Sequence, residues 1–129
     1  MPSFGTTSKE RLATCDPILQ GLFNEVIKYY DCAIICGHRG EAEQNKAFEE
    51  GRSKLKWPNG KHNKFPSQAV DVMPYPIEWN NVKRLRHFIG FVQGIIAVKG
   101  LRVRSGHDWD NDYDLDEEKF KDGPHWEIY

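Results

Sequence analysis

No stretch of this sequence approaches the ~20 consecutive apolar residues that a membrane-crossing helix needs. Charge of one sign is not in excess either: 18 Lys and Arg against 19 Asp and Glu leave a formal net charge of −1. That balance excludes the strongly basic footprint of an electrostatic nucleic-acid binder. Cysteine is scarce and odd in number, three residues without framework spacing, so reduced thiols are expected rather than a disulfide scaffold. The opening MPSFGTTSKERL has no apolar run after a basic start, and no secretory signal is expected from it. Internal repeats and low-complexity tracts are absent. A chain of 129 residues is long enough for a single core, and residues 1–129 are expected to form one domain.

What the sequence does have is clear punctuation. Asp16-Pro17 supplies an N-cap and a first helical residue. Ile18, Leu19, Leu22, Phe23, Val26, Ile27 and Tyr30 follow at helical spacing, predicting a helix to about Tyr30. Ser8 is placed to cap a short turn over residues 9–14. The apolar run Cys32–Cys36 reads as a buried strand, broken by Gly37-His38-Arg39-Gly40. Glu41–Glu50 reads as a helix that Gly51 stops. Residues 52–66 form a basic loop. Ala69–Met73 reads as a strand with Val70 and Val72 on one face and Ala69, Asp71 and Met73 on the other. Asn80 or Asn81 caps the longest helix, running to Lys99, with Val82, Leu85, Phe88, Ile89, Val92, Ile95 and Ile96 as its core stripe. Leu101–Arg104 reads as an edge strand, residues 106–121 as a long acidic loop, and His125–Tyr129 as a last short strand. The pattern predicts an α+β fold: about three helices packed on a small antiparallel sheet of short strands.

Asp71 is the most informative residue for chemistry. A carboxylate between two valines in a buried strand must be paired with a cation, either an Arg or Lys side chain or a metal ion. With His62 on a loop and His125 opening a strand, three donors come from separate segments, the usual protein share of a catalytic zinc site that keeps one position for water. Asp122, three residues before His125, is both a turn residue in Asp-Gly and a carboxylate placed to act as general base. Arg39, after a strand and a glycine, is either a surface residue at a helix entry or a guanidinium that stabilises an oxyanion. Asp108, Asp110 and Asp112 alternate like the oxygen ligands of a calcium loop, but no Gly follows at the sharp turn, and a solvated acidic loop is the competing reading. Cys32 and Cys36 read as core. Trp126, beside His125, is the candidate pocket wall, and His107 a candidate neighbour of substrate.

Taken as an ordered set, Gly37-His38-Arg39 with Gln44, Gly51-Arg52-Ser53-Lys54, Lys61-His62-Asn63, Ser67-Gln68-Ala69-Val70-Asp71-Val72, Gly106-His107-Asp108-Trp109 and Asp122-Gly123-Pro124-His125-Trp126 resembles the zinc D-Ala-D-Ala carboxypeptidase and phage L-alanyl-D-glutamate endopeptidase family. The resemblance runs from about Lys9 to Ile128. It implies a Hedgehog/DD-peptidase-like fold, with His62, Asp71 and His125 as zinc ligands, Asp122 as base and Arg39 facing the scissile carbonyl. It also places Gln44 and Ser53, with His107 and Trp126, on the substrate side. Three departures from the family pattern stand out. Gly60 occupies a position where Ser is common, His62 and Asp71 are nine residues apart, and the base is Asp rather than Glu. The resemblance implies a monomeric phage endolysin cutting the L-Ala–D-Glu bond of the peptidoglycan stem, with no separate wall-binding module. Such an enzyme would stay in the host cytoplasm until a separate pore protein, a holin, releases it. A D-Ala-D-Ala carboxypeptidase, and a non-catalytic zinc-stabilised wall-binding module, are the alternatives.

Overall fold

The computed structural model describes residues 2–115 and 123–129. Among these, four α-helices surround one four-stranded antiparallel sheet: α1 Thr6–Ala13, α2 Pro17–Val26, β1 Cys32–Cys36, α3 Glu41–Glu49, β2 Ala69–Pro74, α4 Val82–Lys99, β3 Val103–Ser105 and β4 His125–Ile128. The sheet order is β1-β2-β4-β3. The expected α+β class holds, with one helix more than the spacing predicts. Residues expected to make only a short turn form α1, in which Leu12 is the one buried side chain. This helix is fixed by tertiary contacts: Ser8 Oγ accepts from the Ile34 N–H at 3.0 Å, and Arg11 donates to the Ile34 carbonyl at 3.0 Å.

The punctuation works through identifiable bonds. Asp16 accepts from the Ile18 N–H at 2.9 Å to start α2, and Asn81 accepts from the Arg84 N–H at 3.1 Å to start α4. Each such cap is worth ~1 kcal/mol. Gly100 ends α4 in the left-handed region at φ 66°, a conformation that costs glycine little. The apolar faces of α2 and α4 cover one face of the sheet. Val70, Val72 and Trp126 from β2 and β4 meet Phe23, Phe88, Ile89 and Val92 there, all fully buried. Alternation along β2 then turns Asp71 to the opposite face, away from the helices.

The strand registers place that opposite face. On β2 and β4, Asp71 pairs with His125 and Ala69 with Glu127, and Arg104 of β3 pairs with Glu127. On the other side a bulge in β1 between Ile34 and Cys36 brings Cys36 opposite Asp71. Such bulges bend a strand and re-aim the chain beyond it. The segment after the bulge is tightly held. The His38 N–H donates to Thr14 Oγ1 at 2.8 Å, and the Arg39 N–H donates to the His62 carbonyl at 2.8 Å. Gly37 packs so closely that a Cβ would lie 2.3 Å from the Arg11 carbonyl oxygen and 2.4 Å from Thr14 Oγ1. Gly37→Ala should therefore destabilise the fold by ~1–3 kcal/mol, the usual cost of overpacking. Thermal melting would read this, and an unchanged melt would mean that α1 yields at no cost.

Candidate active site

His62 sits on a single 3-10 turn, Lys61–Asn63, that leads into β2. Its Nδ1 lies 2.7 Å from the Gly37 carbonyl oxygen. A carbonyl only accepts, so Nδ1 carries the hydrogen and Nε2 is turned inward. Nε2 lies 3.2 Å from Asp71 Oδ1, and His125 Nδ1 lies 3.3 Å from the same oxygen. The two imidazole rings are 5.1 Å apart between centroids. His62, Asp71 and His125 thus each offer a donor atom within 4.8 Å of the others. Two imidazole nitrogens and a carboxylate oxygen form a donor set that suits a divalent ion.

The electrostatics of the three side chains show the same crowding. Burial opposes protonation of His62, but the Asp71 carboxylate beside it wins and lifts the imidazole to about 10. Burial also opposes ionisation of Asp71, and His62 and His125 override it, holding the carboxyl far below the usual range. His125 is raised as well: burial works against it, and its bonds to Asp71 and Glu127 outweigh that. The donors that hold protons so tightly here are of the kind that would also suit a cation.

Arg39 lies alongside, with Nη2 3.5 Å from Asp71 Oδ2. Its Nη1 donates to Gln44 Oε1 at 3.0 Å. Gln44 is buried in α3, and its Nε2 donates to Ser53 Oγ at 2.9 Å and to the Leu55 carbonyl at 2.6 Å. Gln44 thus orients Arg39 and Ser53 fastens the loop after α3, and both residues line the cavity on which the donors open. That cavity is about 560 Å³, and Arg39, Lys54, Trp79, Arg104, Trp109 and Pro124 help to line it.

Trp126 and His107, also expected on the substrate side, lie away from the cavity. Trp126 is fully buried and packs edge-on against Phe23, with centroids 6.1 Å apart. It follows His125 on a strand, so it points to the opposite, core face. Trp109 takes the wall position instead, its ring 5.6 Å from that of His125. His107 is buried and lies outside the cavity lining. The general-base candidate Asp122 lies outside the described residues. Asp108, Asp110 and Asp112 do converge, with oxygens within 4.8 Å of one another.

Sequence reasoning passed over two residues at this site. Glu127 Oε1 lies 2.9 Å from His125 Nε2; its position two along the predicted strand from His125 was the available signal. Cys36, expected in the core, is only partly buried and its Sγ lies 3.7 Å from Arg39 Nη2. The bulge that turns it toward the site leaves no mark in the sequence.

A His–Asp–His donor set at the floor of an open cavity, with a guanidinium beside it, is an arrangement suited to metal-assisted hydrolysis. The family model of the phage L-alanyl-D-glutamate peptidases matches residues 2–129, and the chain belongs to that family. Among solved structures it is similar to the L-Ala D-Glu endopeptidase ChiX of Serratia marcescens, with a TM-score of 0.77 over 99% of this chain and 91% of that one, at 22% identity. A comparison with curated proteins finds no match. The protein is thus a peptidoglycan peptidase of the L-Ala–D-Glu class. Of the readings open at the sequence, the family selects the enzyme over the wall-binding module, and the L-Ala–D-Glu bond over the terminal D-Ala bond.

Proposed function

We propose that this peptidase is zinc-dependent, with His62 Nε2, an Asp71 carboxylate oxygen and His125 Nδ1 holding the ion. The observation that carries this reading is the convergence of those three donors, the other nitrogen of each histidine facing a protein oxygen. A zinc ion there supplies a Lewis acid that polarises an amide carbonyl and acidifies water near neutral pH. Arg39, held by Gln44, faces the carbonyl oxygen and stabilises the charge that develops on it. Asp122 accepts the proton of the attacking water and returns it to the leaving amine. The cationic lining from Arg39, Arg52, Lys54, Lys61 and Arg104 suits a stem peptide that carries free carboxylates. We further propose a monomeric endolysin that reaches the wall through a separate holin pore. Among the described residues no helix is long and apolar enough to cross a membrane.

Removing the metal tests this reading. Chelator should stop the release of new amino termini from purified peptidoglycan, and added zinc should restore it. Undiminished release from metal-free protein would refute zinc dependence. Zinc re-entry should also strengthen as pH rises. His62, raised to about 10, is protonated at neutral pH, and the ion competes with that proton until pH passes the raised value.

A second ion, calcium, is supported by one observation in the acidic loop. Asp108 is fully buried. Its Oδ2 accepts from Gln93 Nε2 and from the Tyr113 N–H, both at 2.9 Å, while Oδ1 is buried without a hydrogen-bond partner among the described residues. Burial pushes the Asp108 carboxyl above its ordinary range, and Asp110 and Asp112 add to this against the hydrogen bonds of Gln93 and Tyr113. A hard cation relieves such crowding. Calcium added to the zinc-loaded protein should raise its melting temperature with an affinity in the roughly micromolar to millimolar range. Asp108→Asn should abolish the rise; a flat calcium titration of the wild type would leave a solvated acidic loop.

A further inference from the structure

His125 has two ring nitrogens, and the fold decides which of them faces the donor cluster. Nδ1 is the one beside Asp71, 3.3 Å from Oδ1. Nε2 is turned away and lies 2.9 Å from Glu127 Oε1. The second oxygen of Glu127 is separately engaged. Oε2 accepts from Arg104 Nε at 3.2 Å and from Arg104 Nη2 at 2.9 Å, and it lies 3.7 Å from Lys61 Nζ. Lys61 also donates to the Ile128 carbonyl, which pins the turn that carries His62 against β4.

The arrangement follows from strand geometry. His125 and Glu127 are two apart on β4 and share a face, Arg104 is the cross-strand partner of Glu127 on β3, and the partner on β2 is Ala69, which brings no competing charge. Glu127 is only 8% exposed. A nearly buried carboxylate between a guanidinium and an ammonium can only accept. The hydrogen of His125 must therefore sit on Nε2, which leaves the Nδ1 lone pair for a metal ion. An ion pair made only for stability would need Oε2 alone; Oε1 is spent on the imidazole.

We infer that Glu127 is a positioning residue that selects Nδ1 of His125 as the metal donor, and that Arg104 and Lys61 hold its carboxylate in register for that task. This rests on the proposed His62–Asp71–His125 centre. The same pairing ties the strand of one ligand to the turn of another, because Lys61 adjoins His62. Arg104 extends the link to the acidic loop: its Nη1 donates to the Trp109 carbonyl at 3.1 Å, and its guanidinium lies 5.6 Å from the Trp109 ring centre.

The variant Glu127→Gln gives a directional test. Its amide would turn its oxygen to Arg104 and Lys61, because two sets of N–H groups cannot face each other. The NH2 then meets His125 Nε2, so the hydrogen moves to Nδ1 and the donor is lost. Chelator competition on the whole chain should show zinc binding weakened by about 10- to 100-fold, the range for partners of a ligating histidine. Activity at limiting zinc should fall by a similar factor and recover with excess zinc, leaving KM little changed. Glu127→Gln binding zinc as tightly as the wild type would overturn the inference while leaving the zinc centre intact; a wild type that binds no zinc would overturn the centre itself. Nitrogen-15 NMR of the zinc-loaded wild type needs no variant. It should show His125 protonated at Nε2 and coordinated through Nδ1, and the reverse assignment would refute the role given to Glu127.

Discussion

Asp71→Asn should strip the protein of its metal and silence it. Asp71 Oδ1 lies 3.2 Å from His62 Nε2 and 3.3 Å from His125 Nδ1, and Oδ2 lies 3.5 Å from Arg39 Nη2. No other carboxylate among the described residues offers an oxygen to that pair of imidazoles at the cavity floor. The amide keeps the size of the side chain but removes its charge. Two histidines and a nearby arginine then make a poor site for a dication. Zinc content measured by elemental analysis should drop to background, and the loss of hydrolysis should exceed the ~10- to 100-fold cost of an outer partner. The competing view, that Asp71 is only the counter-ion of Arg39, predicts a lower melting temperature with metal and turnover retained.

Asp122→Asn should do the opposite to the metal and nearly as much damage to the chemistry. A positioned general base is worth ~10²- to 10⁴-fold in rate, and kcat should fall within that range while zinc content and melting temperature hold. The chain is fixed from the next residue onward. A Cβ on Gly123 would lie 2.6 Å from Leu85 Cδ2, and the Pro124 carbonyl accepts from the Val72 N–H at 2.8 Å. Pro124 also lines the cavity, so Asp122 adjoins that wall in sequence. Asn cannot take the proton, whereas Asp122→Glu keeps the carboxylate and should recover part of the rate. A variant that loses zinc along with activity would make Asp122 a structural residue instead of a base.

The elements that define this fold were legible where local chemistry decides them. Caps at Asp16 and Asn81, the stop at Gly100 and the parity of Val70, Asp71 and Val72 all follow from the residues themselves. α1 was not legible, because one buried leucine gives no periodicity and its partners are 23 and 26 residues away. In α4 the expected stripe is right at Leu85, Phe88, Ile89, Val92 and Ile96, but Val82 is exposed and Gln93 is buried. Gln93 goes inside because Asp108 receives its amide, a contact between segments that no pattern announces. At the site, the three donors were legible from residue type and order. Trp126 misled by adjacency, although the alternation of its own strand would have sent it to the core. Gln44 and Ser53 were placed by order along the chain and do line the cavity, but that order carries no information on the bonds they make to Arg39 and to the loop after α3.

His62, Asp71 and His125 are proposed to share one ion, and anomalous diffraction at the zinc edge from crystals of the active protein tests that most directly. The expected result is a single peak ~2.0–2.2 Å from His62 Nε2, from His125 Nδ1 and from one carboxylate oxygen of Asp71. A peak on other residues, or no peak in crystals that still cleave peptide, would contradict it.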